Sequence, residues 1–401
     1  MSKEEISYVD KLGISSVSIN TAKDIIKQNI LNTMSCWDRG VDIERQTFHL
    51  IGDAGIGKTA ICYQIAEELN FKIIVIKAPV LSRDDFVIPF PVKKRGSDME
   101  KFKMIYSDFI PDENEKDGII YVIDENQRGD ASLQQLLWQI QNEYKIHLKK
   151  FPKKCFVIAI DNPDDSNYMM NNIEDAAGLR RMLHIHVDVS VKDFINYATK
   201  KKFHETVIEY IQAQPSRLYD HKSQKLGSVF SNPASYERVS NILLGFKKDE
   251  IEHNTNNIRI LISGLLNTSM TRMFMEFLMD KSCIVTPKDL IFSYEKVENK
   301  IKEWVKSQNN AKIGEIIEGL ITYLVTSMPV LDNKNRKNII DFLCCIPIDT
   351  AALFITEIET LSRESKEFNY ISSLHVACMK ESKKYRKDFY DKAVTKTDKQ
   401  I

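Results

Sequence analysis

A single eight-residue segment, residues 52–59, limits the fold of this chain more than any other part of its sequence. The segment reads GDAGIGKT and fits the pattern GxxxxGK(S/T). It follows an apolar, strand-like run at residues 47–51 and precedes a segment with helical spacing. Glycines in such a turn let successive backbone N–H groups curl around a phosphate at a helix N-terminus, where the peptide dipoles favour an anion. The segment therefore predicts a strand, a phosphate-binding loop and a helix in direct succession.

Residue types within this loop indicate separate roles in binding a nucleotide. Lys58 would neutralise the β- and γ-phosphates, and the Thr59 hydroxyl would bind a Mg²⁺ ion that bridges them. We therefore expect ATP and Mg²⁺ as cofactors. The predicted nucleotide-binding residues are Gly52, Asp53, Ala54, Gly55, Ile56, Gly57, Lys58, Thr59, Ala60 and, from a later strand, Asp124. The alternative, a chance glycine turn before a helix, is disfavoured by the correct elements on both sides.

A second motif supplies acidic groups at the end of another strand. Residues 118–125 read GIIYVIDE, an apolar run that ends in two acids. Asp124 would hold the Mg²⁺ shell through water, and Glu125 would orient or deprotonate the attacking water. Paired acids suit hydrolysis better than phosphoryl transfer to a second substrate. Two solvated acids at a strand end are the structural alternative.

Two further polar positions follow or precede apolar runs. Asn162 follows the run at residues 155–160, and its amide would hydrogen-bond the γ-phosphate or the lytic water, although Asn-Pro also commonly starts a turn. Arg180 and Arg181 precede the run at residues 185–189. An arginine there would stabilise charge on the nucleotide of an adjacent subunit, with a solvated surface pair as the alternative.

The spacing of apolar residues predicts the fold class. Four further runs, at residues 73–77, 118–123, 156–160 and 185–189, suit buried parallel strands, and helical patterns such as residues 134–144 separate most of them. With the strand before the phosphate loop they predict an α/β fold with a doubly wound, five-stranded parallel sheet. A lead-in helix is predicted over residues 20–35, capped by Asn20 or Thr21. Residues 82–117 are predicted as a surface insertion.

Composition excludes several classes of protein. Fifty-six basic residues balance fifty-six acidic ones among 401, so no global field draws the chain to nucleic acid or anionic lipid. The seven cysteines are scattered without a CxxC pair, which disfavours a zinc site or a disulfide framework. No window approaches the ~20 apolar residues of a membrane helix. We therefore expect a cytoplasmic protein without membrane insertion.

These motifs together resemble those of the AAA+ ATPases, and within them the MoxR-like, dynein-related branch. The run at residues 124–129, DENQRG, is similar to the DEINRA-like run of that branch. Residues 181–184, RMLH, are similar to its RF-x-H run, which favours Arg181 over Arg180 as the arginine that acts between subunits. The branch's DxxGxP segment is matched only loosely at residues 84–89, where Val87 replaces the glycine.

The resemblance implies an organisation and an assembly. It implies an AAA+ nucleotide-binding domain at residues 1–200, an all-α lid at 201–290 and a helical C-terminal extension at 291–401, with a basic tail from about residue 380. It also implies a hexameric ring. The sensor-2 arginine of the branch is replaced by Ala234, and Arg238, about one helical turn further on, is the candidate substitute, with a surface salt bridge as its alternative.

Three functions remain open from the sequence. The leading hypothesis is an ATP-driven remodeller of a protein partner, for which the resemblance implies a substrate or adaptor such as a von Willebrand A-domain protein. A helicase loader or translocase acting on nucleic acid is the second, because the insertion and the C-terminal tail carry clustered lysines and arginines. A slowly hydrolysing, nucleotide-gated assembly switch is the third, and the missing sensor-2 arginine permits it.

Overall fold

A six-stranded parallel sheet is the centre of the first of two units into which the chain divides, Met1–Ser190 and Val191–Ile401. The computed structural model describes residues 15–93, 100–163, 181–220, 229–280 and 283–364. In sheet order the strands are β1 (Ser16–Ser18), β10 (Met182–Asp188), β2 (Thr47–Gly52), β9 (Cys155–Asp161), β6 (Ile119–Asp124) and β3 (Lys72–Lys77). The fold is the α/β fold of P-loop nucleotide-binding proteins, as the sequence predicts.

The sheet has one strand more than the five predicted. The additional strand, β1, pairs in parallel with residues 186–188 of β10. Its sequence, SVS, is too short and too polar to stand out as an apolar run. The first helix, α1 (Ile19–Asp38), also begins earlier than predicted, because Ser18 rather than Asn20 or Thr21 is the N-cap and accepts a hydrogen bond from the backbone N–H of Thr21.

Helices cover both faces of the sheet, which explains why its central strands read as continuous apolar runs. On one face lie α1, whose Ala22, Ile26 and Ile30 are fully buried at a spacing of four residues, and α2 (Lys58–Leu69). On the other face lies α3 (Ala131–Glu143), capped by Asp130. The predicted crossover helix over residues 134–144 is therefore confirmed, with an earlier start.

The segment predicted as a surface insertion contains an antiparallel hairpin, β4 (Val87–Lys93) and β5 (Glu100–Tyr106). Phe86 and Val87 anchor its base in the core beside α3. Six large apolar side chains of the hairpin are exposed: Ile88, Phe90, Val92, Phe102, Met104 and Ile105. The strands were not predicted because Pro89 and Pro91 interrupt the pattern, and proline is tolerated only where a strand needs no ladder hydrogen bond from that residue. A second, minor hairpin is formed by β7 (Lys145–Ile146) and β8 (Lys149–Lys150).

The second unit is helical in its described residues. Its helices are α4 (Val191–Lys200), α5 (Glu205–Ala213), α6 (Pro233–Leu244), α7 (Lys248–His253), α8 (Thr255–Ser263), α9 (Thr268–Met279), α10 (Pro287–Phe292), α11 (Glu298–Lys306), α12 (Asn310–Ser327), α13 (Asn333–Cys345) and α14 (Ile348–Glu364). The helix α12 approaches α5 so closely that a Cβ added at Gly319 would lie 2.8 Å from the carbonyl oxygen of Ala213.

The predicted boundaries of the lid and the extension stay predictions, although α5 and α12 lie on opposite sides of residue 290 and pack together. The basic tail from about residue 380 lies outside the described residues, as do Arg180 and residues 94–99. Within the described segments, no helix is both long and apolar enough to cross a membrane.

Candidate functional site

The phosphate-binding loop follows β2 and ends where α2 begins at Lys58. Gly55 and Gly57 have φ angles of 79° and 104°, in the left-handed region that glycine enters without steric cost. Gly52 is required for another reason, because a Cβ there would lie 2.5 Å from the carbonyl oxygen of Val187 in the adjacent strand. These glycines let the backbone turn sharply and bring the N-terminus of α2 to the edge of the sheet.

The ammonium group of Lys58 is buried at the centre of this loop. Its Nζ donates to the carbonyl oxygens of Gly52 and Asp53 at 2.5 and 2.7 Å and to Asn162 Oδ1 at 3.1 Å. Burial lowers the pKa of Lys58 to about 8, and nearby carboxylates, Asp53 first, oppose this shift. The ammonium group has therefore lost much of its stabilisation by water, which favours an arriving anion.

Thr59 and Asp124 supply oxygen atoms next to this cation. The Thr59 hydroxyl donates to Asp124 Oδ2 at 3.3 Å, which joins the start of α2 to the end of β6. Burial raises the pKa of Asp124, and its hydrogen bond from Thr59 opposes the rise. A hydroxyl and a carboxylate are the hard oxygen ligands that Mg²⁺ prefers, and this ion commonly completes its shell with water and phosphate. The two residues present therefore fit a Mg²⁺ ion bound together with a nucleotide.

Glu125 lies directly beyond Asp124 in an unusual backbone conformation. Its φ of 53° is in the left-handed region, which is uncommon for a residue other than glycine and is frequent at functional turns. The Glu125 carboxylate accepts from Arg128 Nη1 at 2.6 Å. Both side chains are about 40% exposed, so water weakens this ion pair and the carboxylate is free to exchange partners.

Asn162 completes the site from the strand between β2 and β6. Its position after β9 brings its side chain to Lys58 Nζ because the carboxyl ends of parallel strands meet at one edge of a sheet. The structure thus brings together the loop, Lys58, Thr59, Asp124 and Asn162, with Glu125 beside them.

Arg181 is not part of this cluster. It precedes β10, whose Met182 lies opposite Thr47, whereas Val187 lies opposite Gly52 at the phosphate loop. The distance along the strand is therefore about 20 Å at ~3.3 Å per residue, farther than a side chain can reach. The exposed Arg181 instead lines a cavity of about 470 Å³ along α3, together with Arg83 and Glu143.

The candidate substitute for the sensor-2 arginine lies in the second unit. Asn232 caps α6 through a 2.8 Å hydrogen bond from the backbone N–H of Ser235, and Ala234 lies in the first turn of that helix. Arg238 is exposed one turn further on.

Sequence reasoning missed a buried polar network beside the site. His49 in β2 contacts His184 in β10 and Asp161 in β9, and Asp161 also accepts from the backbone N–H of Gln127. A histidine within an apolar strand reads as an ordinary core residue. The available signal was that β2 and β10 both carry histidine, but using it requires knowing that the two strands are adjacent.

Comparisons with known proteins add little to this geometry. The sequence matches no family model, and no curated protein matches it significantly. The Holliday junction branch migration motor RuvB of Thermotoga maritima is 16% identical over 72% of this chain and 78% of its own, with a TM-score of 0.34. A candidate ATPase from Cytophaga hutchinsonii is 13% identical over 69% of this chain and 93% of its own, with a TM-score of 0.31. The assignment of the chain to the P-loop α/β fold therefore rests on its own parallel sheet, its strand order and the geometry of its phosphate loop.

Proposed function

We propose that this protein is a Mg²⁺-dependent ATPase of the AAA+ class that remodels or assembles a protein partner. The observation that carries the ATPase proposal is the convergence of Lys58, Thr59, Asp124 and Asn162 at the carboxyl ends of three neighbouring strands. Glu125 supplies a partly exposed carboxylate beside them. This combination provides a phosphate cation, two metal ligands, an uncharged amide and a base.

Each residue has a defined task during hydrolysis. Lys58 exchanges one of its present acceptors for oxygens of the β- and γ-phosphates. Thr59 and Asp124 would hold Mg²⁺, which neutralises charge on the transferring phosphoryl group when it is bound. Glu125 leaves Arg128 to accept a proton from the attacking water, while Asn162 hydrogen-bonds the γ-phosphate or that water. The two adjacent acids, Asp124 and Glu125, suit hydrolysis, in which water is the acceptor of the phosphoryl group, better than transfer to a second substrate.

Arg181 supports a function between subunits. Since it lies about 20 Å along β10 from its own phosphate loop, it would act only on the nucleotide of a neighbouring copy. We therefore propose an assembly in which each site is completed by the next subunit. A hexameric ring, membership of the MoxR-like branch and the predicted cytoplasmic location are parts of the same proposal.

The exposed hairpin supports a protein partner. Its six large apolar side chains are exposed on the two faces of the ribbon: Ile88, Phe90, Val92 and Ile105 on one face, and Phe102 and Met104 on the other. A nucleic-acid backbone would not bury such groups, whereas apolar and aromatic groups are enriched in the centres of protein interfaces. Lys103, opposite Phe90, is an exposed cation on this hairpin and is the observation that keeps nucleic acid as the second candidate. A von Willebrand A-domain protein is one adaptor class that fits the resemblance.

The experiment is a steady-state ATPase assay with Mg²⁺, with and without single-stranded DNA or RNA, while particle mass is followed with and without nucleotide. Turnover with ATP-dependent assembly and no response to nucleic acid supports the protein remodeller. Stimulation by nucleic acid that falls steeply with salt would replace it by a translocase or loader. Tight binding and assembly with negligible turnover would leave a nucleotide-gated switch.

A further inference from the structure

Three ionisable side chains from three adjacent strands form a hydrogen-bonded chain inside the first unit. His184 Nδ1 and His49 Nδ1 are 2.9 Å apart, and His49 Nε2 is 2.8 Å from Asp161 Oδ2. The side chains of His49 and Asp161 are 0% and 2% exposed. Burying ionisable groups costs desolvation energy, and apolar residues of similar volume often stabilise a fold as well or better. Stability alone therefore does not account for these three hydrogen-bonded side chains.

The partners of Asp161 constrain one proton of this hydrogen-bonded chain. Asp161 accepts from the backbone N–H of Gln127 at 2.8 Å and from Asn126 Nδ2 at 3.3 Å, so its carboxylate is an acceptor. His49 must then carry a proton on Nε2 to donate to it. A neutral His49 accepts at Nδ1 from His184, whereas a His49 protonated at both nitrogens donates to it, so the contact with His184 forms in either case. The contacts thus join His184 through His49 to Asp161.

The Asp161 end of this chain touches the proposed catalytic site at two points. Asp161 immediately precedes Asn162, which contacts Lys58, and it holds the backbone two residues after Glu125 through Gln127. Asn126, between them, is itself buried and accepts at Oδ1 from Gln141 Nε2 at 2.6 Å. The loop that carries the proposed base is thus tied to the strand that carries the proposed amide.

The other end of the chain lies on β10, the strand that Arg181 precedes. His184 is three residues beyond Arg181 and lies opposite His49 in the parallel register. We propose that His49, together with Asp161 and His184, is a positioning residue that holds the loops of Glu125 and Asn162 in register with β10. The proposal rests on the proposed ATPase function, because it assumes that Asn162 contacts the γ-phosphate. It predicts that altering His184, remote from the phosphate loop, changes how the site distinguishes ATP from ADP.

Two pairs of variants separate positioning from packing. His49→Gln places an amide near the ring Nε2 and keeps the contact with Asp161, whereas His49→Asn places it near Nδ1 and keeps only the contact with His184. His184→Leu removes the contact with His49, and His184→Asn restores near Nδ1 an amide that can donate or accept. Asp161 is the less suitable target because its charge also acts on Lys58. His186, in the same strand and close to Asp188, is the matched control as His186→Asn.

The measurements are the dissociation constants of ATP and ADP, the rate of ATP turnover and the melting temperature of each full-length variant. We expect His49→Asn and His184→Leu to lower the preference for ATP over ADP by about fivefold to tenfold, the effect of one lost buried hydrogen bond. ADP affinity should stay unchanged. His184→Asn should regain the preference and His186→Asn should never lose it.

A lower melting temperature with an unchanged ATP preference in His49→Asn and His184→Leu would overturn the proposal, because the chain would then only fill the core. The binding measurements also separate this inference from the ATPase proposal. Wild-type protein that binds ATP without hydrolysing it would refute hydrolysis and leave the positioning test in force. Wild-type protein that does not distinguish ATP from ADP would refute the positioning role itself.

Discussion

Lys58 should make nucleotide affinity fall between pH 7 and pH 9. Its pKa is lowered to about 8 because burial penalises the ammonium ion, and the nearby carboxylates do not fully compensate. A bound polyphosphate favours the protonated form, so binding takes up a proton whenever Lys58 is neutral beforehand. Affinity should therefore be highest below pH 8 and should fall as the pH rises above it.

The size of the effect follows from the fraction of protein in which Lys58 is protonated. That fraction is about nine tenths at pH 7, half at pH 8 and one tenth at pH 9. The dissociation constant of ADP should then rise about twofold at pH 8 and about tenfold at pH 9 relative to acidic solution, since each step is set by proton linkage. ADP is the suitable ligand because it is not hydrolysed.

Isothermal titration calorimetry in two buffers of different ionisation enthalpy measures both the affinity and the protons taken up. Uptake should approach one proton per site at pH 9. The control is Lys58→Arg, because a guanidinium does not titrate in this range and should give weaker but pH-independent binding. Wild-type affinity that stays constant from pH 7 to pH 9 without proton uptake would refute a Lys58 pKa lowered by burial.

Three further predictions concern the proposed base, the proposed contact between subunits and the packing of the helical unit. Glu125→Gln should bind ATP normally while turnover falls at least ~100-fold, and undiminished turnover would exclude it as the base. Arg181→Ala should lower turnover by ~10³-fold, and mixing it with wild-type subunits should inhibit them; normal activity would exclude a role between subunits. Gly319→Ala should lower the free energy of unfolding by ~1–3 kcal/mol, because its Cβ would press on Ala213. Gly314→Ala, in the same helix with nothing within 4 Å, should raise it by ~0.5–1 kcal/mol, and chemical denaturation of both variants tests this contrast.

The parts of the fold that were predictable from sequence are those encoded by local patterns. The five longer strands are apolar runs because both faces of the sheet are covered. The sixth strand, Ser16–Ser18, has no such pattern and is defined by its parallel pairing with β10. The hairpin at residues 87–106 was hidden by its prolines, which break the usual alternation without preventing an exposed two-stranded ribbon.

The candidate site likewise contains features that local sequence patterns predict and features that they do not. The phosphate loop, the two acids at the end of β6 and Asn162 are each attached to a strand end, so their convergence follows once the strands are parallel. The pairing of Glu125 with Arg128 accompanies the left-handed backbone conformation of Glu125, which its residue type does not predict. The contacts of His49 depend on which strands are neighbours, and strand order is a property of the whole sheet rather than of any segment.

If Arg181 acts on a neighbouring site as proposed, its placement before β10 also determines how such a protein would respond to its own abundance. A catalytic site that requires an arginine from a neighbouring subunit is incomplete in an isolated subunit. The rate of ATP turnover per subunit would then rise with protein concentration until assembly is complete. Dilution alone would inactivate the protein. The cell could control such a protein through its level of expression or its local recruitment, without any separate inhibitor.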